Sequence, residues 1–246
     1  MQDVAVIIPA KDEADRIADT VKAAHELPGT GLVVVVDDGS ADGTGRAARA
    51  AGARVVRHSR NRGKGAAMES GAEAVRLLDE DRDNPRHLLF LDADLAGTAR
   101  EAAPLAEPVL AGAADMTIAV FSTTVKLGGH GFVVRLSRDG IRRATGWEAT
   151  APLNGQRCLT RAAFDAALPL AAGFGVETAL TIDLLRQGFR VTEVEVPLAH
   201  RATGTDWRSQ LHRARQFRDV ARALAVRDPA SAAVTRRLDA LRGSRP

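Results

Sequence analysis

Short apolar runs alternate with segments of helical period along the first half of the chain, and this alternation limits the fold to one class. The apolar runs have the length of buried strands, and the intervening segments repeat apolar residues at helical spacing. The predicted strands lie at 4–8, 32–36, 54–57, 88–91 and 115–120, and the predicted helices at 11–24, 43–51 and 66–78. This order predicts an α/β fold, in which right-handed crossovers cover both faces of a mainly parallel sheet with helices. Pro9 is expected to end the first strand because it cannot donate to a sheet ladder.

Three of the predicted strands end in polar segments, at 9–13, 37–40 and 92–94. Ligands of open α/β sheets bind outside the carboxyl ends of the strands, so these polar side chains are expected to meet there. Asp92 and Asp94 stand one residue apart and repel each other unless a cation lies between them. Their oxygens suit a hard divalent ion that also binds a diphosphate. The alternative is an Asp-rich turn in which Asp94 caps a helix.

The composition is that of a globular protein, with 45% hydrophobic and 26% charged residues. Cys158 is the single cysteine, which excludes an internal disulfide and a thiolate metal cluster and predicts a small core residue. No apolar stretch reaches about 18 residues, and the chain starts without the features of a signal peptide. We therefore expect a cytoplasmic protein that does not span a membrane.

The net charge of +3 reflects 34 basic against 31 acidic residues, which is too small an excess to indicate nucleic acid as a partner. Nearly all the positive charge is arginine, with many arginines at 141–145 and from Arg201 onward. A phosphorylated substrate, an anionic membrane surface or a solvated helix would each account for these clusters. We expect no nucleic acid partner, a peripheral membrane contact through the arginine-rich C-terminal half as one option, and a monomer or homodimer.

Two common nucleotide-binding motifs are absent. The segment around Lys64 lacks the longer glycine spacing and the following hydroxyl of a nucleoside triphosphatase phosphate loop. The first strand does not lead into the three-glycine dinucleotide fingerprint. What remains, in chain order, is an Asp pair at 37–38, a Gly-Lys-Gly turn at 63–65 that opens a helix, and the Asp-Ala-Asp of 92–94.

That order resembles the nucleotide-sugar-dependent glycosyltransferases of the A-type fold, family 2 and its relatives, over roughly residues 4 to 200. The matching segments are 8–13, 36–40, 61–66 and 91–94. The resemblance implies the nucleotide-diphospho-sugar transferase fold and a UDP- or GDP-sugar as the substrate that donates the sugar. It implies that this substrate is held by Pro9, Ala10, Lys11, Glu13, Asp38, Ser40, Lys64, Asp92 and Ala93. It also implies that Asp92 and Asp94 carry Mn²⁺ or Mg²⁺ on the diphosphate.

The second half of the chain is similar to particular members of this group. Segments 173–177 and 197–201 resemble those of glucosyl-3-phosphoglycerate synthases, where a histidine at the place of His200 completes the metal shell. Segment 152–157 resembles the acceptor segment of polyprenyl-phosphate sugar transferases, although Ala151 stands where those enzymes usually have an acidic residue. The implied acceptor is small or phosphorylated, either glycerate-like or a polyprenyl phosphate. Residues 1–205 are predicted to form the transferase domain, with a nucleotide-binding half to about 120, and 206–246 a helical appendage.

Each candidate residue has a structural alternative. The structural alternative for Lys64 is a solvated lysine at a helix start. The alternative for Asp37 is a turn former, so Asp38 is the better ligand candidate of the Asp pair. His200 alone would be structural, whereas with two carboxylates it completes a metal site. Glu177 either favours the helix dipole or acts on the acceptor, as a general base if the anomeric centre inverts.

A sugar-phosphate nucleotidyltransferase and a noncatalytic nucleotide-binding module are the rival functions. The glycine-rich stretch 128–131 is expected to close over the site, and Pro229 is expected to begin a last helix.

Overall fold

A computed structural model of the protein describes residues 3–121, 131–197 and 207–227. Seven strands form one sheet in the order β3-β2-β1-β4-β6-β5-β7. The strands are β1 (Val4–Ala10), β2 (Thr30–Asp37), β3 (Arg54–Arg57), β4 (His87–Phe90), β5 (Met116–Phe121), β6 (Arg157–Leu159) and β7 (Val191–Val196). β6 runs antiparallel to β4 and β5, and the other pairings are parallel. The predicted mainly parallel sheet is confirmed.

The described ranges contain eight α-helices. They are α1 (Ile17–His25), α2 (Thr44–Ala50), α3 (Lys64–Leu78), α4 (Ala103–Leu110), α5 (Gly131–Thr145), α6 (Arg161–Ala166), α7 (Val176–Arg186) and α8 (Trp207–Arg227), with 3₁₀ turns at Ala96–Ala102 and Gly173–Gly175. Helices α1, α2 and α4 pack on one face of the sheet, and α3, α6 and α7 on the other. None of the helices in these ranges is long and apolar enough to cross a membrane.

A third apolar cluster joins α5, α7 and α8 away from the sheet. Val220 and Leu224 of α8 are fully buried in it, and Leu224 lies so close to Gly140 that a Cβ at that glycine would overlap it. The described part of the predicted appendage is therefore packed against the rest of the chain. Residues 228–246, which include the helix expected from Pro229, lie outside the described residues.

β1 ends two residues later than predicted, and α1 begins six residues later. β1 continues through Pro9 to Ala10. Proline lacks a backbone N–H, but at this position no neighbouring strand has a carbonyl that would accept from it. Ile7 O accepts from Leu91 N just beyond β4, so Pro9, two residues later, faces the same side after β4 has ended. Helix α1 begins at Ile17, since residues 11–16 form a loop bonded to the loop after β2.

The sequence analysis did not predict β6. It has only three residues, all buried, so neither alternation nor length distinguished it from a loop. Its middle residue is Cys158, which lies in the core as predicted. Burial raises the pKa of this thiol to about 12.

Candidate active site

Lys64, the first residue of α3, joins two carboxylates from distant parts of the chain. Its Nζ lies 2.8 Å from Asp92 Oδ1 and 2.9 Å from Glu177 Oε1. Burial lowers the pKa of Lys64, but the charges of Asp92 and Glu177 outweigh burial and raise it above the ordinary lysine value. The ammonium therefore stays protonated at neutral pH, and the three groups together carry one net negative charge.

This geometry excludes one of the alternatives for Lys64 and adds a contact for Glu177. The Lys64 side chain is only 28% exposed and is ion-paired, so it is not a solvated lysine at a helix start. Glu177 lies in the first turn of α7, where a carboxylate favours the helix dipole, but it is buried and also contacts Lys64. Three residues that the sequence analysis selected from separate segments thus meet at one point.

The Asp92–Asp94 turn is held from behind by α1. The buried hydroxyl of Thr20 donates to Ala93 O at 2.8 Å and accepts from Ala96 N at 2.8 Å. A guanidinium N–H of Arg16 donates to Asp94 O at 3.1 Å. These bonds occupy the carbonyl oxygens of Ala93 and Asp94, so ligand contacts of these two residues would fall to the Asp94 carboxylate. Sequence analysis missed Thr20, whose signal is a hydroxyl within the apolar stripe of α1.

The residues present fit part of a divalent metal site. Asp92 and Asp94 supply hard oxygen ligands of the kind that Mg²⁺ and Mn²⁺ prefer. Within the described ranges, no group of three or more His, Cys, Asp and Glu side chains is arranged to hold a metal. The predicted third ligand, His200, lies outside the described residues, as do Arg201 and most of the 128–131 stretch.

Asp38 organises the loop that leads to Lys64. Its carboxylate accepts from Arg62 N and Gly63 N, both at 2.8 Å, and lies 2.7 Å from His58 Nδ1. Gly63 precedes α3 with φ of 89°, a conformation that glycine adopts without strain. Asp37 has the turn-forming role that the sequence analysis gave as its structural alternative, because its Oδ1 accepts from Ser40 N at 2.9 Å.

The loop after β1 is bonded to the loop after β2. Ser40 Oγ accepts from Asp12 N at 3.0 Å, and Thr44 Oγ1 accepts from Glu13 N at 2.9 Å. Ala10 is buried at the end of β1, whereas Lys11 is exposed and pairs with Asp12 at 3.0 Å. The first predicted motif thus lies at the carboxyl edge of the sheet and is fixed there mainly through its backbone.

Segment 152–157 packs directly on Lys64 and Asp92. A Cβ added to Gly155 would overlap Lys64 Nζ and lie 2.9 Å from Asp92 Oδ1. The buried guanidinium of Arg157 donates to Asn154 O at 2.8 Å and to Thr181 Oγ1 of α7 at 2.9 Å. Burial lowers the pKa of Arg157 to about 10. The sequence analysis selected this segment but not the roles of Gly155 and Arg157.

Helix α8 supports the turn that begins α7. Asp219 Oδ2 accepts from Phe174 N at 3.3 Å, and a Cβ at Gly173 would overlap the same carboxylate. A Cβ at Gly175 would lie 2.6 Å from Asp219 O. The two glycines therefore let α8 approach the backbone that carries Glu177. No sequence signal linked residue 219 to this turn.

Sequence comparison finds a protein family and two relatives that match this chain. The model of the family described as Glycosyl transferase family 2 matches residues 5–164. Glycosyltransferase AglJ of Haloferax volcanii is 32% identical over 210 residues, which cover 82% of this chain and 65% of that protein. The uncharacterized protein MJ1222 of Methanocaldococcus jannaschii is 34% identical over 116 residues, or 47% of this chain and 45% of that protein. The chain thus spans less than two thirds of the length of these relatives.

Solved structures match over most of the chain. Glucosyl-3-phosphoglycerate synthase from Mycobacterium tuberculosis, in complex with phosphoglyceric acid, has a TM-score of 0.72 and 26% identity, covering 92% of this chain and 80% of that one. The same synthase with Mg²⁺ and uridine diphosphate has a TM-score of 0.71 and 24% identity, covering 92% of this chain and 79% of that one. These matches confirm the predicted nucleotide-diphospho-sugar transferase fold. Since the family model covers more than half of the sequence, the chain belongs to glycosyl transferase family 2.

Proposed function

We propose that this chain transfers a hexosyl group from a UDP- or GDP-sugar to a small or phosphorylated acceptor, with Mn²⁺ or Mg²⁺ as cofactor. The observation that carries the proposal is the contact of Lys64 with both Asp92 and Glu177 at the carboxyl edge of the sheet. This contact puts a permanent cation between a carboxylate suited to a metal and a carboxylate suited to an acceptor. Family membership supports the reaction class, and the substrates are our inference.

Asp92 and Asp94, together with His200, would hold the divalent ion. When bound, such an ion acts as a Lewis acid that neutralises the diphosphate. Lys64 would add a second positive charge beside Asp92, and its raised pKa keeps that charge throughout the neutral range. Fixed charges aimed at a group that becomes more negative in the transition state are an effective source of catalysis.

The nucleoside would lie along the loops after β1 and β2. We assign its contacts to Pro9, Ala10, Lys11, Glu13, Asp38, Ser40 and Ala93. Ser40 supports this assignment, because it bonds the loop after β1 to the loop after β2. Asp38 would act at least partly through the backbone of residues 62–63, which it already fixes.

Glu177 would act on the acceptor. If the anomeric centre inverts, its carboxylate takes the acceptor proton, and if the centre is retained, it orients the acceptor. Its burial and its 2.9 Å contact with Lys64 keep the carboxylate in one position. The similarity to a synthase in complex with phosphoglyceric acid supports a phosphorylated acceptor over a neutral one. A peripheral membrane contact and a monomer or homodimer remain separate predictions.

The metal assignment is tested with Asp94→Asn and His200→Ala. Calorimetry with UDP or GDP and Mn²⁺ should show that Asp94→Asn abolishes metal-dependent nucleotide binding while the unfolding temperature is unchanged. His200→Ala should weaken Mn²⁺ binding less, by roughly 10- to 100-fold. Asp19→Asn, an exposed carboxylate on α1, is the control. Unchanged Mn²⁺-dependent binding in Asp94→Asn would remove the metal assignment.

A further inference from the structure

A second cavity lies away from the Lys64 site, between α2 and the edge strand β3. It has a volume of about 520 Å³, and its lining includes Asp37, Asp42, Arg46, Arg49, Val55 and Arg57. We call it the arginine cavity. Neighbouring residues of a strand point to opposite faces of the sheet, so Asp37 faces this cavity while Asp38 faces the loop that leads to Lys64. The two sites therefore share no lining side chain.

Three arginines from two elements line the arginine cavity. Arg46 and Arg49 are three residues apart on α2, a spacing that puts both on one side of the helix. Arg57 comes from the end of β3, and its Nε lies 3.5 Å from Asp37 Oδ2. All three side chains are exposed to solvent, and all three border one concave space.

The carboxylates of the cavity do not neutralise all three arginines. Asp37 is the partner of Arg57, and Asp42 accepts from Thr44 N at 2.9 Å and from Ala14 N at 3.1 Å. In the described parts of the chain, neither Arg46 nor Arg49 forms an ion pair. The cavity thus has a net positive charge, and its two helical guanidinium groups have no anionic partner in those ranges.

We propose that the arginine cavity binds the phosphoryl group of a small phosphorylated molecule. Guanidinium groups bind phosphate oxygens in bidentate fashion, and two of them without an anionic partner match the charge of a phosphate dianion. The volume lies in the range of small-molecule sites. The proposal is independent of the proposed function, since it depends on no residue assigned to sugar transfer.

Pyrophosphate and inorganic phosphate are the probes, measured by calorimetry at low salt. The experiment uses the full chain carrying Lys64→Gln, which weakens phosphate binding at the Lys64 site while keeping a hydrogen-bonding side chain there. Pyrophosphate should still bind with one site per chain. Adding Arg46→Ala and Arg49→Ala should weaken this binding by roughly tenfold for each arginine removed.

Arg54→Ala with Arg60→Ala is the matched control, because it removes the same charge nearby. Arg54 belongs to β3, but strand alternation puts it on the opposite face from the lining residues Val55 and Arg57. Arg60 is exposed in the following loop. The control should bind pyrophosphate as the Lys64→Gln parent does. An equal loss in both double variants would show a general charge effect and overturn the proposal. Absence of binding in the Lys64→Gln parent would overturn it as well.

A lipid headgroup and a free metabolite both present a phosphoryl group, and vesicles separate these sources. Vesicles of phosphatidylcholine with phosphatidylglycerol are sedimented with each variant. A soluble ligand is indicated if pyrophosphate binds and the protein stays in the supernatant. A lipid source is indicated if the protein sediments and the Arg46→Ala, Arg49→Ala variant does not, while the Arg54→Ala, Arg60→Ala control does.

Discussion

The proposed active site has a nucleotide side, at the loops after β1 and β2, and an acceptor side around Glu177, and the two are built in different ways. On the nucleotide side, side chains fix the backbone of loops that follow adjacent strands, as Ser40 does for Asp12 and Asp38 for Gly63. On the acceptor side, the backbone around Glu177 is fixed by helix packing and by contacts distant in sequence, as between Phe174 and Asp219. The nucleotide side therefore follows mainly from strand topology and from polar side chains close to the strand ends. The acceptor side depends on how the C-terminal helices pack.

The largest effect should come from Glu177→Gln, which separates the two sides by function. Transfer should fall by roughly 10²- to 10⁴-fold if the carboxylate acts as a positioned acid or base. Nucleotide affinity should change little, because Lys64 keeps its 2.8 Å contact with Asp92. Single-turnover transfer and calorimetry on the same preparation measure the two quantities.

The control for this prediction is Glu195→Gln, an exposed carboxylate on β7. It should transfer at the rate of the unmodified protein. If Glu177→Gln binds nucleotide normally and also transfers at that rate, Glu177 has no part in the chemistry and acts only at the helix terminus.

An intermediate effect is expected from Gly155→Ala. This substitution lies in the segment 152–157 and should change nucleotide binding through Lys64. The added Cβ would overlap Lys64 Nζ, so the ammonium must leave its position between Asp92 and Glu177. Loss of a charge-assisted contact should weaken nucleotide diphosphate binding by roughly 10- to 100-fold. Gly97→Ala is the control, since its Cβ would meet its nearest neighbour, Arg100, at 3.6 Å. Equal affinities in both variants would mean that Lys64 does not contact the diphosphate.

The parts of the fold that were predictable from sequence are those set by local pattern. The buried strands that end at Asp37 and near Asp92 are recognisable from their continuous apolar residues. Their polar ends must meet at one edge of a parallel sheet. Pro9 was misjudged because its effect depends on where the neighbouring strand stops. β6 was missed because three buried residues carry no period.

Part of the candidate site also follows from local pattern, namely the Asp-Ala-Asp after an apolar run and the Gly-Lys-Gly turn, whereas Glu177 was selected mainly from the family resemblance. Lys64, Asp92 and Glu177 were chosen from separate segments, and the fold brings them into contact. The residues that were missed act through tertiary contacts that leave no local pattern. Thr20 fixes the Asp-Ala-Asp turn across 73 residues, and Asp219 reaches Phe174 across 45.

The smallest of the three effects should come from Asp219→Ala, which tests whether α8 positions Glu177. Loss of the carboxylate removes the acceptor for Phe174 N and the group that packs on Gly173. Small displacements of a catalytic group are costly, so kcat should fall by roughly tenfold while the KM for the sugar nucleotide is unchanged. Asp219→Asn keeps a hydrogen-bond acceptor and should recover most of the rate. Asp183→Ala is the matched control, because Asp183 also holds α8, through Arg227 at 2.7 Å, but does not contact the turn. If both alanine variants lose the same stability and the same activity, α8 contributes only to folding, whereas a loss of kcat confined to Asp219→Ala shows that α8 positions the acceptor side of the site.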